Sequence, residues 1–136
     1  MIKTFSFFVP GVPRPKQYRQ TKTGVVYSKG EVVLWERSVA LAAQAAAGAG
    51  YQKMFGAVTL NLTFYLGIPK SRKELENLDP HLQDPDLTNL LKATEDGIKK
   101  ILFHDDNLVW QMHLFKRWSA HNKCGVQVEV IIDDRN

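Results

Sequence analysis

The sequence predicts one α/β domain over residues 1–136, with a mixed β-sheet of four to five strands and two main helices. Several short segments alternate apolar and polar residues, and two longer ones repeat apolar residues at helical spacing. The length of 136 residues suits a single domain. The predicted strands do not alternate regularly with the helices, which favours a mixed sheet over a strict βαβ series.

Four segments predict strands because apolar side chains recur at every second position. The first covers residues 2–9 and is ended by a Pro-Gly pair, and the second covers residues 56–66. Two more strands, 108–118 and 125–132, follow the second predicted helix, and 25–27 is a candidate fifth, short strand.

Two longer segments predict helices. Residues 30–47 are rich in alanine, and Ser28 is a candidate cap for this helix. The second helix follows Asp86, which occupies the cap position, and its apolar residues share one face at 3.6 residues per turn. These apolar residues are Leu87, Leu90, Leu91, Ile98, Ile101 and Leu102. Between the helices, the run from Lys73 to Glu76 is a candidate helical turn.

The composition excludes several classes of protein. The single cysteine, Cys124, rules out an intramolecular disulfide framework and a Cys-rich zinc site, which fits a reducing cytoplasm. No apolar run approaches the roughly 20 residues that a membrane-spanning helix needs. The N-terminal residues also lack the layout of a signal peptide. We therefore expect a cytoplasmic protein with no membrane partner.

Charge is distributed unevenly along the chain. The net charge of +4 favours an anionic partner, and residues 1–30 contain six basic side chains and no acidic one. Residues 84–106 contain six of the fourteen acidic side chains. An acidic cluster in a basic protein suggests a metal site directed at a polyanion, whereas charge alone favours the alternative of two solvated faces. In the basic segment, a proline-containing loop carries four predicted phosphate contacts, Arg14, Lys16, Arg19 and Lys22.

The acidic segment contains the residues of a possible metal-dependent site. Asp84 and Asp86 precede the second helix, Lys92 lies further along it, and Asp105 and Asp106 follow it. Mg²⁺ prefers oxygen ligands and uses one or two protein carboxylates with water and substrate phosphate. A nearby ammonium supports negative charge that develops on a phosphate. The ordinary alternative is that Asp86 caps the helix, Lys92 is a surface residue and the later acids belong to a turn.

Two blocks of sequence resemble the RusA family of Holliday junction resolvases, whose pattern is Pro-Asp-x-Asp-Asn-x-x-Lys, a helix, and then Asp-Asp. The matching blocks are residues 85–93, Pro-Asp-Leu-Thr-Asn-Leu-Leu-Lys-Ala, and the downstream pair Asp105 and Asp106. The loop over residues 9–17, Tyr27 and the alanine-rich helix are also similar to the family.

The resemblance implies a RusA-like fold and a homodimeric, Mg²⁺-dependent endonuclease that acts on four-way DNA junctions. Such an enzyme makes two symmetric nicks during DNA recombination and repair, and is often encoded by prophages. By position, Asp86, Lys92 and Asp106 match the catalytic residues of the motif. The predicted metal ligands are Asp84, Asp86, Asp105 and Asp106. Thr88, Asn89 and Glu95 are expected to support this site without being its main ligands.

The chain departs from the family pattern at Thr88, where the motif has a second aspartate. A hydroxyl brings no charge, so another carboxylate is expected to compensate. Asp84 and Asp105 are favoured, because Glu95 lies two helical turns beyond Thr88, about 10 Å along the axis. The departure also leaves open a non-catalytic DNA-binding protein with a decayed metal site. A less selective structure-specific nuclease is a separate alternative.

Overall fold

A computed structural model of the protein describes residues 1–16, 29–119 and 123–135, and in this part of the chain four strands form one sheet. The strands are β1 (Ile2–Pro10), β2 (Gly56–Gly67), β3 (Val109–Ser119) and β4 (Gly125–Asp134). Their order is β1-β4-β2-β3, with β2 and β3 parallel and the other pairs antiparallel. The predicted mixed sheet is confirmed, and the candidate strand 25–27 and cap Ser28 lie outside the described residues.

Two helices, α1 (Lys29–Ala47) and α2 (Leu87–Lys99), accompany the sheet. The candidate turn is a 3₁₀ helix over Lys73–Asn77, and a second 3₁₀ turn covers Asp106–Leu108. The helix α2 ends at Lys99, so Leu102, which belongs to the predicted apolar pattern, lies beyond its end. Leu102 is nevertheless fully buried. Across the described residues, neither helix has the length and apolar character that crossing a membrane would require.

The core lies between the two helices and one face of the sheet. On β2, the even-numbered residues from Val58 to Leu66 are buried, and they pack with alternate residues of β4 and the apolar side of α2. Trp35 of α1 donates a buried hydrogen bond to Thr94 of α2, with 3.1 Å between Nε1 and Oγ1. The helices approach closely at Gly97, where an added Cβ would lie 2.7 Å from the Glu36 carbonyl oxygen.

The connection between β2 and β3 carries most of the predicted site. Because β2 and β3 are parallel, the chain must cross from the end of β2 back to the edge of the sheet where β2 begins. The helix α2 is part of this crossover connection. The connection also docks on the outer edge of β3: the His81 amide donates to the Lys116 carbonyl at 3.0 Å, and the Trp118 amide donates to the Asp79 carboxylate at 2.8 Å. This docking places the segment before α2 against β3.

Candidate active site

Seven of the predicted site residues line two surfaces, one on each side of the first turn of α2. One surface, which we term the α2 cleft, is lined by Lys16, Asn89, Lys92, Glu95, Asp96 and Asp106. The other, the β3 cavity, has a volume of about 850 Å³, and its polar lining includes Asp79, His81, Asp84, Asp86, Lys116 and Arg117. Leu87 borders the cavity and Asn89 borders the cleft. An extended ligand that crosses the start of α2 would therefore contact both surfaces.

The α2 cleft is built from one side of the helix and the turn that follows it. Asn89, Lys92, Glu95 and Asp96 share this side because residues three, four and seven apart are neighbours on a helix. Asp106 faces them from its 3₁₀ turn, with its Oδ1 3.3 Å from the Lys99 ammonium. The structure therefore brings three of the family-motif positions, Asn89, Lys92 and Asp106, to one cleft.

Glu95 is the acidic side chain of the cleft with a strongly perturbed pKa. Burial, followed by the negative charges of Asp106 and Asp96, raises the pKa of Glu95 to about 6. Lys99 and Lys92 oppose this rise. The negative charges of Asp106 and Asp96 therefore act on Glu95, and a bound cation would oppose their effect as the two lysines do.

The N-terminal loop closes one end of the α2 cleft. The Lys16 amide donates to the Asn89 carbonyl at 2.9 Å, and its ammonium donates to the Asp96 carboxylate and lies 3.5 Å from Glu36 Oε1. Arg14 lies 3.8 Å from the Glu31 carboxylate. Both of these predicted phosphate-contact residues therefore face carboxylates in the described structure. The other two, Arg19 and Lys22, lie outside the described residues.

Asp86 starts α2 without using its carboxylate as a helix cap. Its backbone is extended, with φ −65° and ψ 140°, and its carbonyl accepts hydrogen bonds from the Asn89 and Leu90 amides, both at 3.1 Å. Its side chain makes no capping hydrogen bond and is exposed, as is that of Asp84. The ordinary capping role therefore does not explain the Asp86 carboxylate, which remains available to the β3 cavity.

Lys116 is a cavity residue that the sequence analysis missed. Its ammonium donates to the Gln83 carbonyl at 2.5 Å and to the Pro85 carbonyl at 2.9 Å. Burial lowers the pKa of Lys116, against the raising effect of Asp86 and Asp84. The signal that could have identified Lys116 in the sequence is a lysine on the apolar face of a predicted strand. In the structure, Lys116 is in register with the buried Phe64 of β2.

His81 anchors the segment that leads to Asp84. It is 4% exposed, and its ring centroid lies 3.9 Å from that of Trp118. Burial, with a smaller contribution from the Lys116 charge, lowers the pKa of His81 to about 4. The ring is therefore neutral at pH 7, and its Nδ1 accepts a hydrogen bond from the Gln83 amide at 3.3 Å.

The structure does not bring together the four carboxylates that the sequence predicted as metal ligands. Asp84 and Asp86 line the β3 cavity, Asp106 lines the α2 cleft, and Asp105 accepts a hydrogen bond from the Asn107 amide at 3.4 Å, which is a turn role. Within residues 1–16, 29–119 and 123–135, no three acidic, histidine or cysteine side chains are grouped so that they could hold a metal ion.

The α2 cleft is lined by carboxylates, which are the type of side chain that holds magnesium ions in proteins. Mg²⁺ is usually held by one or two carboxylates, with waters and substrate phosphates as the remaining ligands. Glu95 and Asp106 both line this cleft, and the negative charge of Asp106 contributes to the raised pKa of Glu95. Thr88, the departure from the motif, is exposed on α2 and is not among the residues that line the cleft.

Carboxylates and a lysine around one cleft are typical of enzymes that cleave phosphodiesters. Consistent with this chemistry, a protein-family model described as Endodeoxyribonuclease RusA matches residues 8–131 of the 136-residue chain. The match includes both the α2 cleft and the β3 cavity. The chain therefore belongs to the RusA endodeoxyribonuclease family, which confirms the resemblance found in its sequence. A search of curated proteins gives no significant match.

Proposed function

We propose that this protein is an Mg²⁺-dependent endonuclease that resolves four-way DNA junctions by paired symmetric nicks, in DNA recombination and repair. The observation that carries the proposal is the α2 cleft, where motif residues Asn89, Lys92 and Asp106 meet in a chain of the RusA family. The substrate follows from the family, and the chemistry follows from the residues of the cleft.

The residues of the cleft have separate roles in this proposal. Glu95 and Asp106 would hold Mg²⁺, which when bound supplies Lewis-acid activation of the scissile phosphate. The Lys92 ammonium supports the negative charge that develops on the phosphate oxygens during cleavage. The Lys99 ammonium lies 3.3 Å from Asp106 Oδ1. Asp84 and Asp86 line the β3 cavity, on the other side of the first turn of α2, and would approach the same DNA strand from there.

A homodimer matches the substrate, because a four-way junction has local two-fold symmetry and needs two nicks. Two features of the edge strand β3 support a partner surface: Trp110 is 68% exposed and Phe115 is 57% exposed. Sedimentation equilibrium of the protein without DNA tests the dimer. We expect twice the monomer mass, and a monomer at micromolar concentration would contradict the expectation.

The experiment that tests the function compares three labelled DNA substrates: a four-way junction, a flap and a linear duplex. We expect Mg²⁺-dependent nicks at symmetric positions in the junction, and rates on the flap and duplex that are lower by about tenfold or more. Similar rates on all three substrates would support a less selective nuclease. The nicks should also be sealed by a DNA ligase.

Two observations favour a second candidate, a non-catalytic junction-binding protein. Thr88 replaces a motif aspartate, and the described residues contain no group of three potential metal-binding side chains. Junction binding without cleavage in either Mg²⁺ or Mn²⁺ would support this candidate over the nuclease. If the wild-type protein does not cleave the junction, gain of cleavage in a Thr88→Asp variant would identify Thr88 as the cause of the lost nuclease activity.

A further inference from the structure

Lys116 binds the backbone carbonyl groups of the two residues on either side of Asp84. Its ammonium donates to the carbonyl of Gln83 at 2.5 Å and to that of Pro85 at 2.9 Å. Two hydrogen bonds from one charged donor fix the backbone on each side of Asp84 and immediately before Asp86. The lysine itself is held on a strand, in register with the buried Phe64, so its position is set by the sheet.

Ordinary surface or core roles do not account for this lysine. It makes no ion pair within 4.0 Å among the described residues, and its stem lies on the side of β3 that carries Leu114 and Trp118. A partly buried ammonium costs desolvation energy, which an apolar residue at this strand position would avoid. What the ammonium provides instead is a rigid attachment for the loop that presents two carboxylates to the β3 cavity.

We infer that Lys116 is a positioning residue, whose ammonium braces the loop over residues 83–86 so that Asp84 and Asp86 are held toward the DNA strand. The inference deepens the proposed function and rests on it. The Asp84 and Asp86 carboxylates are the groups presented to the DNA, and Lys116 acts through the backbone that carries them. Residues that orient active-site groups in this way typically affect activity or metal affinity by about 10–100-fold.

Two variants and one control test the brace. Lys116→Met removes the charge and keeps an unbranched side chain, whereas Lys116→Arg keeps a charged donor that can reach both carbonyls. Lys53→Met removes a surface lysine that borders neither the α2 cleft nor the β3 cavity. Single-turnover cleavage of the four-way junction, junction affinity without Mg²⁺, and amide hydrogen exchange of a peptide covering residues 82–87 are measured for each.

For Lys116→Met we expect cleavage to slow by about 10–100-fold, with junction affinity changed by less than about threefold. We also expect exchange in the 82–87 peptide to become faster by about tenfold. Lys116→Arg should recover most of both losses, and Lys53→Met should match the wild type. A rate within twofold of wild type for Lys116→Met, or unchanged exchange in this peptide, would overturn the inference. If the wild-type protein cleaves no junction, the proposed function fails, and the exchange measurement alone decides whether Lys116 braces the loop.

Discussion

Protonation of His81 provides a quantitative test of how the segment before α2 is docked on β3. The ring is 4% exposed and packs against Trp118 at an interplanar angle of 41°, and burial lowers its pKa to about 4. In the unfolded chain the histidine titrates near its ordinary value of 6.5. Because the folded pKa is the lower one, the unfolded state binds the proton first as the pH falls. The stability contributed by neutral His81 is complete above pH 6.5 and is lost progressively toward pH 4.

The size of the effect follows from the two pKa values. At pH 5 the free energy of unfolding should be lower by at most about 2 kcal/mol than at pH 7.5 through this group alone. The ring borders the open β3 cavity and interacts with both Lys116, which lowers its pKa, and Asp79, which raises it. Solvent in the cavity screens these charges, so a value near 1 kcal/mol also agrees with the structure.

The assay is urea unfolding of wild-type protein and a His81→Gln variant at several pH values between 4.5 and 7.5. Glutamine is neutral throughout and can accept the hydrogen bond from the Gln83 amide. Titration of the carboxylates affects both proteins and cancels in the difference between them. The difference in unfolding free energy should shift in favour of the variant as the pH falls. A difference that stays constant over this range would refute the assignment of a neutral, buried His81.

Three further predictions concern the α2 cleft and its support. Gly97→Ala should destabilise the protein by about 1–3 kcal/mol in urea unfolding, because its Cβ would lie 2.7 Å from the Glu36 carbonyl oxygen; a change below 0.5 kcal/mol would show that α1 can move away. Thr94→Val should cost about 1 kcal/mol by leaving the buried Trp35 indole without its acceptor, and an unchanged stability would contradict that hydrogen bond. Glu95→Gln should weaken Mn²⁺ binding, measured by electron paramagnetic resonance, by about tenfold, and unchanged binding would exclude Glu95 as a ligand.

Local patterns in the sequence were sufficient to predict the sheet and the two helices. The period of α2 fixes which side of it is buried, and the helix residues that line the cleft, Asn89, Lys92, Glu95 and Asp96, lie outside that side. The strands follow from alternation, and their ends differ from the predicted ends by one or two residues. These features depend on neighbours in the chain, which the sequence displays directly.

The features that the sequence did not predict all depend on contacts between distant segments. Lys16 contacts Asp96 across 80 residues of chain, and Lys116 reaches the carbonyls of Gln83 and Pro85 across more than 30. The separation of Asp86 from Asp106 has the same origin. It depends on where the 3₁₀ turn after α2 docks, and no periodicity in the sequence describes that docking.

The central claim is that Asp106, in the α2 cleft with Lys92, is required for Mg²⁺-dependent cleavage of DNA. The most direct test is single-turnover cleavage of a four-way junction by Asp106→Asn at saturating Mg²⁺, with junction binding measured in parallel. Asp133→Asn, at the end of β4, is the matched control. We predict that Asp106→Asn binds the junction as the wild type does but cleaves it at least about 100-fold more slowly. Full Mg²⁺-dependent cleavage by this variant would contradict the account.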